Sequence, residues 1–276
     1  MIDLHAHILP DVDDGPADTE ESLAMVRMAA RDGIGTICAT PHLMERPGRQ
    51  RIELFETRFS ELDEAIRQEE LPVRLVLGAE IYFQPDLERF QDYPALTVNG
   101  TGRYLLCEFP MQGIPPGADR VIFQVIMNGI IPILAHPERN LSVLRDETVL
   151  EPMLHSGALL QINAGSLEGQ FGRRVKKCAL SLLKKGTVHF IGSDAHNASS
   201  RPVRLSPAVD IAAQVVGPRV ARALVDDHPR CVLMGQALPE SVVFAPRDEA
   251  GSLPENLPEN LSESLLGKIW KGFTGK

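Results

Sequence analysis

The chain begins with MIDLHAHILPDVDDGP (1–16), which joins a short apolar run to two histidines and an acidic turn. Side chains of an extended strand alternate between two faces, so His5 and His7 point to the same side. An isolated pair of histidines at this spacing is common, and the three aspartates that follow also suit a simple turn before a helix. The segment therefore gains meaning only from what the rest of the chain adds.

The same kind of short apolar run recurs along the chain and alternates with longer amphipathic stretches. We predict strands at residues 2–5, 36–40, 74–78, 104–108, 131–135, 159–163 and 188–192. We predict helices at residues 19–32, 51–69, 118–128, 147–156 and 173–185. Several strands are apolar on successive residues, which is typical of parallel strands covered on both faces. About seven βα repeats predict a closed or nearly closed α/β barrel, and a doubly wound open sheet is the alternative.

Composition and charge limit the function classes only in part. The chain has 276 residues, of which 43% are hydrophobic and 24% charged, and its net charge is −9. These values exclude collagen-like, disulfide-framework and wholly disordered proteins. The acidic balance argues against non-specific nucleic-acid binding. It does not exclude an anionic substrate, because bound metal ions can reverse the local field of a carboxylate-rich site.

Several features concern the compartment. The four cysteines lack C-x-x-C spacing and lie in or beside apolar stretches, which predicts buried thiols in a reducing environment. The N-terminal segment has neither the basic region nor the long apolar region of a signal peptide. The most apolar window, 121–135, is too short to cross a bilayer. We therefore predict a cytoplasmic protein.

The composition changes near the C-terminus, so we predict a main domain at 1–245 and an extension at 246–276. The stretch 245–264 is rich in Pro, Glu, Asn and Ser, and LPEN occurs at 253–256 and again at 257–260, as in a solvated linker. The extension then places six apolar side chains on one predicted helical face: Leu261, Leu265, Leu266, Ile269, Trp270 and Phe273. Such a helix docks on its own or a neighbouring chain, or else on a membrane surface or a partner.

Metal-ligand residue types are concentrated at the ends of the predicted strands. Eight such side chains lie at or just beyond these ends: His5, His7, His42, Glu80, Glu108, His136, Asp194 and His196. The C-terminal ends of barrel strands converge on the face where α/β barrels build their active sites. Taken singly, each position has an ordinary explanation, such as a capped turn, a surface charge or a core carboxylate. Their joint occurrence predicts a polynuclear site for Mn, Fe or Zn.

Two arginines follow these ligand positions. Arg139 lies in HPER after His136, and Arg201 comes five residues after His196. Guanidinium groups bind phosphate oxygens in bidentate fashion, so we interpret both arginines as ligands of a phosphoryl substrate. The alternative is that they pair with ligand carboxylates. The chain has no cysteine followed six residues later by arginine, no P-loop and no GxSxG motif, which argues against those mechanisms.

Together these segments resemble the polymerase and histidinol phosphatase (PHP) superfamily. The resemblance rests on MIDLHAHILPDVDDGP, TPH, GAEIY, CEF, AHPER and IGSDAHN, which follow in this order over most of the chain. More narrowly, DVDDGP, GAEIY and the SDAHN segment with its following RP are similar to those of bacterial PHP-type protein-tyrosine phosphatases of capsule and exopolysaccharide operons. The resemblance implies a distorted (β/α)7 barrel with a trinuclear metal site at the C-terminal ends of the strands.

The resemblance also implies how the ligands divide among three divalent ions. The first ion is expected at His5, His7, Glu80 and Asp194, the second at Glu80, Glu108 and His136, and the third at Asp14, His42 and His196. Mn²⁺ is the expected ion, with Fe or Zn as alternatives. Arg139 and Arg201 match the phosphate-binding arginines of the family. His42 or His196 would assist proton transfer only if it is not fully committed to metal.

The reaction implied is metal-assisted hydrolysis of phosphotyrosine on a protein. The implied partner is an autophosphorylating bacterial tyrosine kinase of polysaccharide export, and the extension at 246–276 is then a candidate for peripheral contact with the inner face of the membrane. The main alternative is a histidinol-phosphate or other small-molecule phosphatase of the same superfamily. A nuclease fits the acidic charge and the 5% aromatic content poorly. A non-catalytic metal-binding module fits the complete ligand set poorly.

Overall fold

The computed structural model describes residues 1–46 and 48–239. The predicted linker, the predicted amphipathic helix and the domain boundary at residue 245 lie outside these residues and stay predictions. Within the described part of the chain, no helix combines the length and the apolarity that crossing a membrane requires.

The centre of the fold is built from parallel strands. In chain order they are β1 (Ile2–Ala6), β2 (Thr36–Ala39), β3 (His42–Leu43), β4 (Arg74–Leu77), β5 (Glu80–Tyr82), β6 (Tyr104–Glu108), β7 (Ile131–Ala135), β8 (Leu159–Asn163) and β9 (Phe190–Gly192). The seven predicted strands are all present. The short strands β3 and β5 were not predicted. Each has only two or three extended residues and follows an interruption of the preceding strand, which is too short a segment to show a hydrophobic period.

Helices follow most of the strands and cover the sheets. They are α1 (Thr19–Arg31), α2 (Arg49–Gln68), α3 (Ala118–Met127), α4 (Leu141–Arg145), α5 (Glu151–Ser156), α6 (Ala164–Glu168), α7 (Arg173–Lys184), α8 (Ser206–Val216), α9 (Pro218–Ala223) and α10 (Asp227–Leu233). The helix predicted at 147–156 is wrong in its first part, where the chain forms a 3-10 turn (Glu147–Leu150) before α5. Pro152 in the first turn of α5 explains the division, since proline cannot continue a preceding helix.

The strands form two sheets, in the orders β1-β2-β4 and β3-β5-β6-β7-β8-β9. β3 continues the line of β2 and β5 that of β4, so seven strand lines follow one another in chain order. A parallel bridge between Ala6 and Ala195 brings the end of the second sheet back to β1. Among the described strands the order never reverses, which excludes the doubly wound alternative. The hydrogen-bonded ladder is not closed, and the fold is the distorted α/β barrel that was predicted.

An apolar cluster fills the N-terminal part of the barrel. It contains alternate residues of neighbouring strands, among them Val76, Leu106 and Ile133, and it includes Val232 and Leu233 of α10. The last described segment therefore closes the end of the barrel opposite to the strand C-termini. The Tyr104 hydroxyl donates to the Gln236 carbonyl over 2.6 Å and helps to hold this closure in place. With one end filled by apolar side chains, polar groups converge at the other.

Candidate metal centre

The structure brings all nine predicted ligands to the C-terminal rim of the barrel. They are His5 in β1, His7 just after it, Asp14 in the following turn, His42 in β3, Glu80 at the start of β5, Glu108 at the end of β6, His136 after β7, and Asp194 and His196 after β9. Seven of them are buried, whereas His42 is partly exposed and Asp14 is exposed. Ring centroids of neighbouring imidazoles lie 4.1–6.2 Å apart. This spacing is far closer than independent surface histidines adopt.

Two interruptions of strands and a β-bulge direct these side chains inward. On β1 the pairing register shifts between Asp3 and Ala6, so that three steps on β1 match two on β2. Such a bulge rotates the strand locally. Leu4 thereby belongs to the apolar cluster while the next residue, His5, faces the polar rim. The irregular segments between β2 and β3 and between β4 and β5 place His42 and Glu80 as direct neighbours in the pairing of β3 with β5.

Four groups of side chains within the described residues have the geometry for a metal ion. In each group, one ligand atom per residue lies within 4.8 Å of all the others; the groups are His7, Asp14, His42 and His196; His5, His7 and Glu80; His5, His136 and Asp194; and His42, Glu80 and Glu108. The three residues predicted for the third ion lie together in the first of these groups. His136 also approaches Glu80, with Nε2 at 2.9 Å from Oε1, as its predicted pairing requires.

The hydrogen bonds of two histidines show how their rings are oriented. Gln161 Oε1 lies 2.7 Å from His5 Nδ1, and Asp13 Oδ2 lies 2.7 Å from His7 Nδ1. Since both partners present an acceptor oxygen, each histidine carries a proton on Nδ1, which leaves Nε2 to hold either a second proton or a metal ion. The two Nε2 atoms are nevertheless only 3.3 Å apart. Two lone pairs at this distance repel each other unless a cation or a proton lies between them.

Two buried atoms of the cluster lack any hydrogen-bond partner, namely Glu80 Oε2 and His42 Nδ1, although they approach each other to 3.1 Å. Unsatisfied buried polar atoms are rare and call for a ligand or a special role. Imidazole nitrogens and carboxylate oxygens are the donors that Mn, Fe and Zn accept. The residues present therefore fit divalent metal ions.

The electrostatics of the cluster follow from the same contacts. Burial disfavours the charged form of His7, but the hydrogen bond with Asp13 and the nearby Glu80 carboxylate raise its pKa to about 10. Burial would raise the pKa of Glu80, yet His5, His136 and His42 hold it well below its usual range. For His196, burial and the charge on His7 lower the pKa to about 4. The pKa of Asp194 is likewise lowered by His5 and His136, so Glu80 and Asp194 are ionised and attract positive charge, whether protons or metal ions, whereas burial and the charge of Glu80 raise the pKa of Glu108.

The two predicted phosphate ligands both contact Asp194. Arg139 Nη1 donates to Asp194 Oδ2 over 2.8 Å, and Arg201 Nη2 lies 2.6 Å from the same oxygen. Both arginines thus pair with the carboxylate of a predicted metal ligand, which is the alternative to phosphate binding that the sequence left open. The contact occupies one nitrogen of each guanidinium, and Arg201 Nε is buried without a hydrogen-bond partner. The Arg139 guanidinium also stacks over Phe171, 4.3 Å from the ring centroid. Their role toward phosphate stays a prediction.

Backbone strain occurs at two ligand positions. His136 has φ 31° and Asp194 has φ 51°, in the left-handed region that residues with a Cβ rarely adopt. Each such residue costs on the order of 1–3 kcal/mol, and such residues cluster at functional sites. His136 directly follows β7 and Asp194 lies two residues beyond β9, where the chain must turn sharply to keep the side chain on the rim.

Sequence reasoning missed the residues that hold the ligands. Asp13 accepts from the His42 backbone N–H over 2.8 Å as well as contacting His7. Gln161 and Asn163 of β8 contact His5 and Asp194, and buried Glu138 accepts from the Asn163 backbone N–H. A signal was present at β8, since two polar residues alternate at the end of an otherwise apolar run. For Asp13, an acidic turn gave no indication of which aspartate turns inward.

A parallel α/β barrel whose C-terminal rim gathers buried imidazoles and carboxylates defines the class: an α/β-barrel protein with a candidate polynuclear metal centre. The family described as "Capsular polysaccharide synthesis, CpsB/CapC" matches residues 1–234 of the chain. The chain therefore belongs to the CpsB/CapC family, as the resemblance of its motifs predicted.

Relatives and a solved structure agree with this assignment. The chain is 33% identical over 228 residues to the tyrosine-protein phosphatase YwqE of Bacillus subtilis, covering 82% of this chain and 89% of that protein. It is 35% identical over 206 residues to the putative tyrosine-protein phosphatase CapC of Staphylococcus aureus, covering 74% and 80%. A crystal structure from work on YwqE and on CpsB of Streptococcus pneumoniae, described as unique metal-dependent tyrosine phosphatases, matches with a TM-score of 0.81 and 33% identity, covering 86% of this chain and 96% of that chain.

Proposed function

We propose that this protein is a metal-dependent protein-tyrosine phosphatase that acts in the synthesis of capsular or extracellular polysaccharide. The observation that carries the proposal is the facing pair of His5 and His7 Nε2 atoms, 3.3 Å apart, among buried ionised carboxylates. Membership of the CpsB/CapC family and the names of the relatives support the substrate class. Phosphotyrosine is the substrate, and water is the nucleophile.

The nine rim residues would hold the metal, as three divalent ions divided as the sequence predicts, with Mn²⁺ preferred. The ions would supply charge neutralisation for the phosphoryl oxygens and activation of water near neutral pH. The protein contributes a fixed set of donors, because hydrogen bonds from outside the cluster orient the rings of His5 and His7. Such outer contacts set the tautomer and the direction of each ligand.

The arginines supply the charge that the phosphoryl group needs. Arg139 and Arg201 flank Asp194 and are partly exposed, with side-chain accessibilities of 20% and 26%. Their remaining N–H groups can donate to non-bridging oxygens of a bound phosphate. A tyrosine phenolate leaves readily because the pKa of tyrosine is only about 10, so a strong general acid is not required. His42 and His196 are available for proton transfer only where metal does not occupy them.

The partner we propose is an autophosphorylated bacterial tyrosine kinase of polysaccharide export, met in the cytoplasm. Three of the four cysteines are buried and all four are free thiols, which suits a reducing compartment. Peripheral contact with the membrane through residues 246–276 is part of the same proposal. Deleting residues from 251 onward would leave partitioning and kinase dephosphorylation unchanged in cells if that contact does not exist.

The test is phosphatase activity on a phosphotyrosine peptide, measured after chelation and after addition of Mn²⁺, with metal content determined on the same sample. We expect chelation to abolish activity, Mn²⁺ to restore it, and His136→Ala to remove it. Histidinol phosphate is the comparison substrate. A metal-loaded protein that hydrolyses histidinol phosphate and ignores the peptide would overturn the substrate assignment and leave the metal centre in place.

A further inference from the structure

Two side-chain amides of β8 connect the candidate ligands His5 and Asp194. Gln161 Oε1 accepts from His5 Nδ1 over 2.7 Å, and Gln161 Nε2 donates to Asn163 Oδ1 over 3.0 Å. Asn163 Nδ2 in turn donates to Asp194 Oδ2 over 2.6 Å. All four side chains are buried. A continuous line of hydrogen bonds therefore runs behind the rim from one candidate ligand to the other.

The donors and acceptors of this line admit one amide orientation. Gln161 Nε2 also donates to the Ile162 carbonyl over 2.8 Å. If the Gln161 amide were turned over, its oxygen would face the Ile162 carbonyl oxygen. The same reversal at Asn163 would bring its oxygen against the Asp194 carboxylate. Because a buried oxygen facing another oxygen loses its hydrogen bond, each amide is locked as observed.

Gly192 of β9 provides the space that the Gln161–His5 pair occupies. A Cβ added at Gly192 of β9 would lie 2.9 Å from Gln161 Nε2 and 3.0 Å from His5 Cβ. The backbone of β9 thus packs directly against the Gln161–His5 pair. From the other side, Glu138 Oε1 accepts from the Asn163 backbone N–H over 2.9 Å and fixes the end of β8. The amides are held on both sides, as precise orientation requires.

We infer that Gln161 and Asn163 are positioning residues, which orient His5 and Asp194 for the metal; the inference rests on the proposed function. Gln161 keeps the proton of His5 on Nδ1 and so leaves the Nε2 lone pair for a metal ion. Asn163 occupies Oδ2 of Asp194, together with the two arginines, and leaves Oδ1 facing His5 Nε2 at 3.5 Å. Partners of this kind set ligand geometry, and their loss typically weakens metal binding about 10- to 100-fold.

The experiment is a calorimetric titration of metal-stripped full-length protein with Mn²⁺ alone, paired with phosphatase assays over a range of Mn²⁺ concentrations. Gln161→Met keeps the shape of the side chain and removes the acceptor for His5. Asn163→Ser is a smaller change that removes the contact with Asp194, and it carries the test if Gln161→Met does not fold. The control is Leu160→Ala, which removes buried packing from the same strand and leaves the line of hydrogen bonds intact.

We expect Gln161→Met to weaken Mn²⁺ binding about 10- to 100-fold, with kcat largely recovered at saturating Mn²⁺ because every ligand is still present. Leu160→Ala should lower the melting temperature and leave the Mn²⁺ affinity unchanged. Unchanged affinity in both β8 variants, in a wild type that binds Mn²⁺, would overturn this inference alone. A wild type that binds no Mn²⁺ would overturn the proposed function and this inference with it.

Discussion

At the scale of single residues, the candidate ligands are oriented by hydrogen bonds at Nδ1 of their imidazoles. Gln161 and Asp13, which are not among the predicted ligands, contact His5 and His7, and the Asp194 backbone carbonyl lies 2.9 Å from His196 Nδ1. Each contact directs Nε2 toward the cluster. Asp13 contributes twice, since it also anchors the backbone at His42. Its pKa, which burial would raise, is lowered to about 2 by His7, so it stays an acceptor at any working pH.

The first prediction concerns Asp13. Replacing it in Asp13→Ala frees the His7 ring and the His42 backbone, so Mn²⁺ affinity should fall about 10- to 100-fold. Calorimetric titration of the metal-stripped protein measures this. Asp11→Ala is the matched control, because Asp11 lies in the same acidic turn but is exposed and pairs with Arg58 rather than with a candidate ligand. Equal affinities in the two variants would show that Asp13 does not orient the ligands.

The second prediction concerns Arg201. Its guanidinium can bind a phosphoryl group as a fork, whereas lysine offers a single point charge. Arg201→Lys should therefore lower kcat/KM for a phosphotyrosine peptide about 10- to 100-fold, through the loss of a charge-assisted hydrogen bond. Steady-state kinetics at saturating Mn²⁺ check this. Arg204→Lys, in a residue that pairs with Glu168 at 2.6 Å, should leave the kinetics unchanged. If Arg201→Lys and Arg204→Lys changed kcat/KM by the same small factor, Arg201 would have a structural role and would not bind the phosphoryl group.

At the scale of elements, the candidate site residues lie at the C-terminal ends of strands, whereas contacts near the strand starts stabilise the fold. The pair β8 and β9 illustrates this division. Near the start of β9, His189 Nδ1 accepts from the Leu160 backbone N–H over 3.1 Å, while the ends of the same strands hold Asn163 and lead to Asp194. Burial and the neighbouring His228 lower the pKa of His189 to about 4. A protonated ring could no longer accept this hydrogen bond.

The third prediction follows from this depressed pKa. Between pH 6.5 and pH 4 the unfolded chain takes up a proton at this histidine and the folded chain does not, so stability falls as the pH falls. His189 should contribute about 1–3 kcal/mol to this loss, given its pKa shift. His189→Asn keeps an acceptor for Leu160 and cannot titrate, so urea unfolding between pH 7 and pH 4.5 should show a shallower decline. The exposed residue His155 provides the control His155→Asn, whose decline should match that of the wild type.

At the scale of the whole molecule, the candidate metal centre lies where the two sheets meet. His5 lies in β1 of the first sheet and His7 directly follows it, whereas Glu80 and Glu108 lie in strands of the second sheet and His136 follows β7. The sheets are joined there by one bridge, Ala6 to Ala195. Divalent ions at the rim would therefore add a cross-link between the two sheets at this junction. They would also neutralise the buried carboxylates that the rim brings together.

The fourth prediction is that metal stabilises the entire fold. At a free Mn²⁺ concentration about 100-fold above Kd, binding adds about 2.7 kcal/mol. For a domain of this size the melting temperature should rise by about 5–10 °C relative to the chelated protein. Differential scanning calorimetry with and without chelator measures the shift, and His136→Ala should reduce it. Identical melting temperatures in both conditions would mean that the ions do not join the two sheets.

The order of the seven main strands, the helices α1, α2, α3 and α7, and the residue types of the rim follow from the sequence alone. These are local properties: apolar runs predict buried strands, and histidines at strand ends can be recognised without knowing their neighbours. Only the tertiary structure decided which atoms meet. The partner of His5 is Gln161, 156 residues away, and that of Asp194 is Asn163, 31 residues away. Packing likewise decided where the strands are interrupted before β3 and β5. It also decided that both arginines pair with Asp194. No local pattern contains them, because hydrogen bonds between distant segments depend on how the whole barrel brings its strand ends together.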